Sequence, residues 1–519
     1  MKTLSESGQF AVDRDGVRSM KGIRVHVESV EKCPENPVIV PDRPWEEDVH
    51  IFGSVLKING TYRMWYYARS DAYETRSVCY AESSDGVHWV KPELGIVSYK
   101  GMDTNIVLST LNAGRYFKEN CGVIYTPWDT GKEYKMLYHG LADEKHARKA
   151  GLIQEANYAA VMREYEEKGE LLIRDRMKKR VDSIHDRAMK FGEDGSLPEG
   201  PQPYKTYPCV LYTAWSSDGL HWNTSTEPCC YEIMDISHWF YDTQKQEYVI
   251  YGRGYGYDEK RVELDRDLPE FDACFGRIVV RTTSKDGLTF GKIEPVMKAD
   301  YRDRPCDEIY SLSVFQRGNV YLGLVQMYHG NPSDMTLDVQ LTISHDGVHF
   351  ERVGDRNPIL PLGGIGEWDR FNTSIGDTVV EEGDDIRIYH QGAVFRHTQI
   401  FDGPGYDKTD CGDRRTRIGF GSVKRDRFAC AMASFDGGEI LFDPMIIDGN
   451  VLCLNCVSAF GEIQVKLEGM ESKKEFEAVV SENGLDVCIG LPDWVGKEPV
   501  NLKLVLKNAR LYSYCAKHV

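Results

Sequence analysis

One short pattern occurs four times along the chain and restricts its fold more than any other feature. Ser84-Asp85-Gly86-Val87-His88-Trp89 returns as Ser217-Asp218-Gly219-Leu220-His221-Trp222. It returns again, with Phe for Trp, as Lys285-Asp286-Gly287-Leu288-Thr289-Phe290 and His345-Asp346-Gly347-Val348-His349-Phe350. Asp-Gly is a tight-turn pair, in which the carboxylate caps its own turn and glycine accepts positive φ. A second repeat lies upstream: Met64-Trp65-Tyr66-Tyr67, Met136-Leu137-Tyr138-His139, Val249-Ile250-Tyr251-Gly252, Gln326-Met327-Tyr328-His329 and Arg387-Ile388-Tyr389-His390. An apolar stretch precedes each of these, at residues 49–57, 122–125, 236–241, 310–315 and 375–380. The repeated unit therefore reads as four antiparallel strands, and such units set around an axis make a β-propeller. Five Tyr-ending strands predict five blades. The fifth has no Asp-Gly turn and offers Lys424-Arg425-Asp426-Arg427-Phe428 in its place.

After Phe428 the pattern changes to short apolar runs at 439–442, 451–455, 462–467, 500–506 and 510–514, separated by Gly, Asp and Pro. That spacing suits a β-sandwich. Residues 143–191 are rich in Ala, Glu, Lys, Arg and Met and predict helix. The expected architecture is all-β: a five-bladed β-propeller over residues 1–430, a helical insertion in blade two, and a β-sandwich over 431–519. Insertions of about sixty residues in blade two and about sixteen in blade three emerge where the inner strands begin, and repeat proteins tend to place insertions on the binding face. The charged insertion is a candidate lid or homo-oligomer contact.

Composition excludes several partners. Asp and Glu total 81 against 63 Lys and Arg, a net charge of −18 that repels nucleic acid and anionic lipid. No apolar run approaches the length of a membrane span. Residues 1–10 lack the apolar core of a secretory signal, so a cytoplasmic location and reduced thiols for the 14 cysteines are expected. Cys453-Leu454-Asn455-Cys456 has no second pair, so no zinc site is expected, nor any other metal or cofactor.

Acids recur near the start of every inner strand: Asp48, Glu119, Asp235, Asp307 with Glu308, and Asp369. Two carboxyl groups brought within roughly 5–10 Å can serve as the acid and the base or nucleophile of glycoside cleavage. Asp48, Asp235 and Glu308 are the candidate catalytic set. The Tyr-ending strands deliver His139, Arg253, His329 and His390 to the same end, and His50 and His238 lie just inside inner strands. Imidazole and guanidinium groups there suit sugar hydroxyls or an anionic substituent. With Glu119, Asp307, Trp368, Asp369 and Arg370, these form the candidate substrate-binding set. Trp128, Trp239 and Trp368 are candidate stacking surfaces. For any single acid or histidine, turn capping or core packing is the competing reading.

The repeated units and following sandwich, with Asn36-Pro37-Val38 and Trp45-Glu46 ahead of the first blade, resemble the five-bladed glycoside hydrolases. The family 32 group (β-fructosidases) is most similar, with family 43 (arabinofuranosidases and xylosidases) close behind. The stretches 83–95, 424–428 and 501–514 are similar to bacterial family-32-like members. Family 32 carries Trp-Met-Asn-Asp-Pro-Asn-Gly at its nucleophile, where this chain reads Trp45-Glu46-Glu47-Asp48-Val49-His50. Its Arg-Asp-Pro motif is absent, and Arg304-Pro305-Cys306-Asp307-Glu308 only echoes it. By position, the resemblance implies Asp48 as nucleophile or base, Asp235 as supporting acid and Glu308 as proton donor.

Three functions follow as expectations. The first is an exo-acting glycoside hydrolase for short oligosaccharides or glycosides. The second is a propeller that only binds carbohydrate or protein. The third is a glycoside phosphorylase, with Arg253, Arg304 and His329 available to phosphate.

Overall fold

The computed structural model describes residues 2–70, 76–171, 174–175, 178, 209–256, 276–331, 334–397 and 415–519. Apart from the helix Glu144–Glu167, its long regular elements are β-strands. Five antiparallel units follow one another. The first consists of Asp48–Ile58, Thr61–Arg69 and Arg76–Ser83, and the second of Phe117–Tyr125, Tyr134–Leu141 and Cys209–Ser216, edged by Asn223–Thr224. The third comprises Met234–Asp242, Glu247–Gly256, Gly276–Ser284 and Glu294–Met297. The fourth comprises Asp307–Arg317, Val320–His329, Thr336–Ser344 and Glu351–Arg352. Asn372–Glu382, Asp385–Ala393 and Arg417–Lys424 make the fifth. Each inner strand packs against the next, and the fifth packs back on the first, so the arrangement is propeller-like.

The Asp-Gly repeat has a local physical cause. In each Asp-Gly turn the carboxylate accepts from the two amides beyond the glycine, as Asp85 does from Val87 and His88 at 2.8 and 2.9 Å. Gly86, Gly219, Gly287 and Gly347 all take positive φ there. Three of the four glycine carbonyls accept from a neighbouring unit. Tyr389 of unit five donates to Gly86 of unit one, Trp65 of unit one to Gly219 of unit two, and Tyr251 of unit three to Gly347 of unit four. At these three junctions the aromatic strand of one unit fastens the turn of the next, and the contact from unit five to unit one closes the series.

Two edges differ from expectation. In unit one, the segment after the turn makes only a bridge between Glu82 and Val90, and Ile106–Ser109 fills the edge instead. In unit five, residues 425–428 form a turn, and the edge strand is Glu31–Lys32 from the N-terminus. That donation explains why the fifth repeat lacks an Asp-Gly turn.

The C-terminal strands form two sheets that share one hydrophobic core, with Ile440, Val465 and Leu504 on one side and Leu454, Leu511 and Ala516 on the other. The N-terminal residues belong here too. Lys2–Leu4 and Val17–Lys21 pair into the first sheet, and Gln9–Phe10 and Arg24–Val27 into the second. The first 27 residues thus pair with strands from Ala429 onward, across the division expected at residue 430. The cysteine expectation also needs correction: Cys453 and Cys488, directly opposed on adjacent strands, are joined by a disulfide.

The axis of the ring is tightly filled. His238 Nδ1 of unit three meets Asp377 Oδ1 of unit five at 2.7 Å, with both residues buried. A Cβ on Gly122 of unit two would fall on Oδ2 of Asp377 and 3.1 Å from Trp239. Gly122→Ala should therefore lower stability by roughly 1–3 kcal/mol through overpacking, read as a lower thermal midpoint. An unchanged midpoint would show that the axis has room to spare.

Candidate active site

Strand register gathers one end of every unit. The first residues of the inner strands face the last residues of the second strands: Asp48 opposite Arg69, Glu119 opposite His139, Met234 opposite Arg253, Asp307 opposite His329, and Asn372 opposite Ala393. The helix Glu144–Glu167 leaves unit two at this same end, capped by Asp143 and held through His146 to Glu227 at 2.9 Å. The rest of the predicted insertion lies largely outside the described residues.

Asp48 is 3% exposed and ion-paired with Arg69, whose Nε lies 2.7 Å away, and it accepts from the amide of Thr416 at 3.0 Å. Burial opposes its ionisation, but the Arg69 guanidinium, His50 and the Thr416 amide outweigh it and hold the carboxyl below its usual range. Asp48 is thus built to be a carboxylate. His50 stacks on Phe52 with ring centres 5.0 Å apart, and burial pushes its imidazole down to about 4 although Asp48 and Glu119 pull the other way. It is a neutral group at neutral pH, and among the described residues its Nδ1 has no hydrogen-bond partner. Glu119 is ion-paired with Lys118 at 2.8 Å, beside buried His139.

A second acid centre lies in unit four. Glu308 is 1% exposed and ion-paired with Arg277. Arg277 and Arg253 both lie over the ring of Tyr310, at 5.8 and 5.4 Å. Tyr310 donates to or accepts from His397 at 2.8 Å, and Tyr328 lies beside both. Phe52 of unit one packs against the cluster containing Ile236, Tyr310 and Tyr328, so an apolar surface connects the neighbourhood of Asp48 to that of Glu308. The backbone of Asp235 lies in Met234–Asp242, next to Ile236, but its side chain lies outside the described parts of the structure.

Other candidates are placed elsewhere. Asp307 and His329 form a closed clamp, with His329 Nδ1 on Asp307 at 2.8 Å and Nε2 on Asp338 at 2.9 Å. His238 is committed to Asp377 on the axis. Asp369 is held by Lys32 at 2.6 Å, and Trp368 stacks on His390 at 5.2 Å across Gly392 and Gly419 of unit five. Burial pushes His390 down to about 4. These three pack unit five and do not stand on a rim. Arg370 lies over Phe371. Trp239 is core, and Trp128 is exposed beyond the far end of an inner strand. Among the described residues no group of His, Cys, Asp and Glu is arranged to hold a metal ion.

Sequence reasoning missed Arg69, Arg277, Tyr310, Tyr328, His397 and Thr416. Arg69 was legible, because a hairpin turn at Ile58 and Thr61 places it opposite Asp48. Arg277 lies in a third strand and Thr416 just ahead of one, both after long insertions, where repeat spacing no longer locates a partner.

The His329 clamp makes a pH prediction. Burial works against the imidazolium, but hydrogen bonds to Asp307 and Asp338 raise its pKa from 6.5 to about 9. The folded value lies above the unfolded one, so this contribution is fully present below about pH 6.5 and disappears as pH rises through about 9. Asp307 shifts the other way, and its share is lost as pH falls through the acid range. The thermal midpoint of the wild type should exceed that of His329→Gln by several degrees near pH 6, and the gap should close by pH 9 to 10. A constant gap across that range would remove the charged clamp.

The sequence matches no family model and no curated protein. In fold the chain is similar to many solved structures, three of which follow. An N-acetylgalactosamine deacetylase from F. plautii is 15% identical, covering 79% of this chain and 96% of that one, with a TM-score of 0.41. A β-1,2-mannobiose phosphorylase from Listeria innocua is 13% identical, covering 76% and 96%, with a TM-score of 0.42. The GH32 β-fructofuranosidase of Bombyx mori is 8% identical, covering 96% and 94%, with a TM-score of 0.39.

Proposed function

We propose that this chain is a glycoside hydrolase, exo-acting on short oligosaccharides or glycosides, built as a five-bladed propeller with a C-terminal β-sandwich. The observation that carries this reading is the matched pair of buried, guanidinium-held carboxylates. Asp48 and Glu308 begin the inner strands of units one and four, and the surface containing Phe52 and Tyr310 lies between their neighbourhoods. An aromatic wall between two acids suits a sugar ring, whose apolar face stacks while its glycosidic oxygen meets a proton donor.

Asp48, held ionised, is the nucleophile or the base that takes a proton from water. Glu308 is the donor to the leaving oxygen, with Asp235 supporting. Glu308 is paired with Arg277 in the free protein, and that guanidinium turns toward substrate as it binds. His50, Glu119 and His139 line the Asp48 side, and Arg253 the Glu308 side. The helical insertion serves as a lid or as a contact in a homo-oligomer, and no cofactor is needed.

Phosphorolysis is the second reading, supported by Arg253 and Arg277 over one tyrosine ring, a pairing suited to a phosphate dianion. A panel of aryl glycosides and disaccharides, assayed with and without inorganic phosphate, tests both. Turnover without phosphate is expected for the hydrolase. Strict dependence on phosphate would replace it with the phosphorylase, and sugar binding without turnover would leave only a binding module.

A further inference from the structure

Three cysteines stand in a row across one C-terminal sheet, remote in sequence from the proposed catalytic residues. The strands Asn483–Gly490, Val451–Val457 and Ala509–Lys517 are successive neighbours in that order. Cys453 on the middle strand lies directly opposite Cys488 on one side and Cys515 on the other. Directly opposed residues of antiparallel strands share a face. Leu452, Leu454, Tyr514 and Ala516 point into the shared core, so alternation turns Cys453 and Cys515 to the outer face. Cys453 is 2% exposed and bonded to Cys488, which is exposed, while Cys515 is a free, half-buried thiol.

We propose that this row is a thiol–disulfide exchange site, in which Cys515 displaces Cys488 from Cys453. Exchange needs the attacking, central and leaving sulfurs close to one line, and three opposed positions on three successive strands supply that alignment. The Cys515 thiolate attacks Sγ of Cys453, the Cys453–Cys515 bond forms, and the Cys453–Cys488 bond breaks. Cys515 gives up one proton and Cys488 takes one up. One disulfide replaces another, so no oxidant or reductant is consumed. The product leaves Cys488 as a surface thiol open to a small-molecule disulfide.

Burial raises the Cys515 thiol, with Asp486 and Asp426 adding to that and Lys517 and Arg425 opposing it. The exchange should therefore quicken as pH rises. It also loosens an edge strand whose Asp486 reaches Arg425, just beyond the last strand of unit five.

The test is differential alkylation of the full chain, acid-quenched and mapped by mass spectrometry. Between pH 6.5 and 8.5, Cys488 should become alkylatable as Cys515 becomes protected, one for one, with a rate rising roughly tenfold per pH unit while the thiol is mostly protonated. Cys515→Ser should keep Cys488 protected at every pH. Cys488→Ser, treated with oxidised glutathione, should form the Cys453–Cys515 bond. The proposal is overturned if all the disulfide stays between Cys453 and Cys488 at every pH. It is equally overturned if Cys488 opens in Cys515→Ser, if Cys453 and Cys515 remain separate in Cys488→Ser, or if the wild type shows three free thiols in oxidising buffer.

Discussion

Asp48→Asn and Glu308→Gln should each lower turnover by at least about a hundredfold on a substrate that the wild type cleaves, general acid–base contributions alone being of that size. Each amide keeps the shape of its acid and removes the ionisable group. Every 1.36 kcal/mol added to the barrier is about tenfold in rate, so the expected loss is about 3 kcal/mol or more. Both residues are buried against arginines, and removing a buried charge from its partner can destabilise by about 3–5 kcal/mol. An amide oxygen still accepts from Arg69 or Arg277, so the stability loss should be smaller than that bound. Turnover must therefore be expressed per folded molecule, with the thermal midpoint measured in parallel. Because Asp48 is held below the ordinary carboxylate range, activity should persist as pH falls until that carboxyl protonates. Normal turnover per folded molecule by either variant would show that its assigned role is wrong, with Glu119 next to be tested.

The parts of this fold legible in the sequence are those carried by local chemistry. Asp-Gly followed by an aromatic specifies a turn through bonds within a few residues, and the same bonds recur at Asp85, Asp218, Asp286 and Asp346. Alternation also shows which residues begin the inner strands. What stayed hidden depends on pairings between distant segments. Arg69 opposite Asp48 is a hairpin neighbour, but Thr416 reaches Asp48 across 368 positions and His238 reaches Asp377 across 139. The histidines show the same limit. His329, His390 and His50 look alike in the sequence, yet one is raised to about 9 and two are pushed down to about 4. Carboxylates surround the first, whereas His390 lies under an indole and His50 is buried against a phenyl ring. No spacing rule distinguishes these surroundings.

Removing residues 2–32 should abolish cooperative folding of the whole chain, although that segment precedes the first sequence repeat. The segment supplies two strands to each C-terminal sheet and the edge strand of unit five. It also buries Leu4, Phe10, Val12, Val27 and Val30. At about 1.5–3 kcal/mol for each such side chain, the lost burial alone is on the order of 10 kcal/mol. That is comparable to the entire stability of an ordinary domain, about 5–15 kcal/mol. Losing Lys32 additionally strips Asp369, 1% exposed, of its cation. Phe10→Ala is the graded version: its ring meets Phe428 edge-on at 6.4 Å, and deletion of a buried phenyl costs about 3–5 kcal/mol. Circular dichroism melts of the full chain, the point variant and the truncation should show a sharp transition, an earlier one and none. A truncated chain that melts sharply at the wild-type temperature would mean that neither the ring nor the C-terminal sheets depend on the first strands.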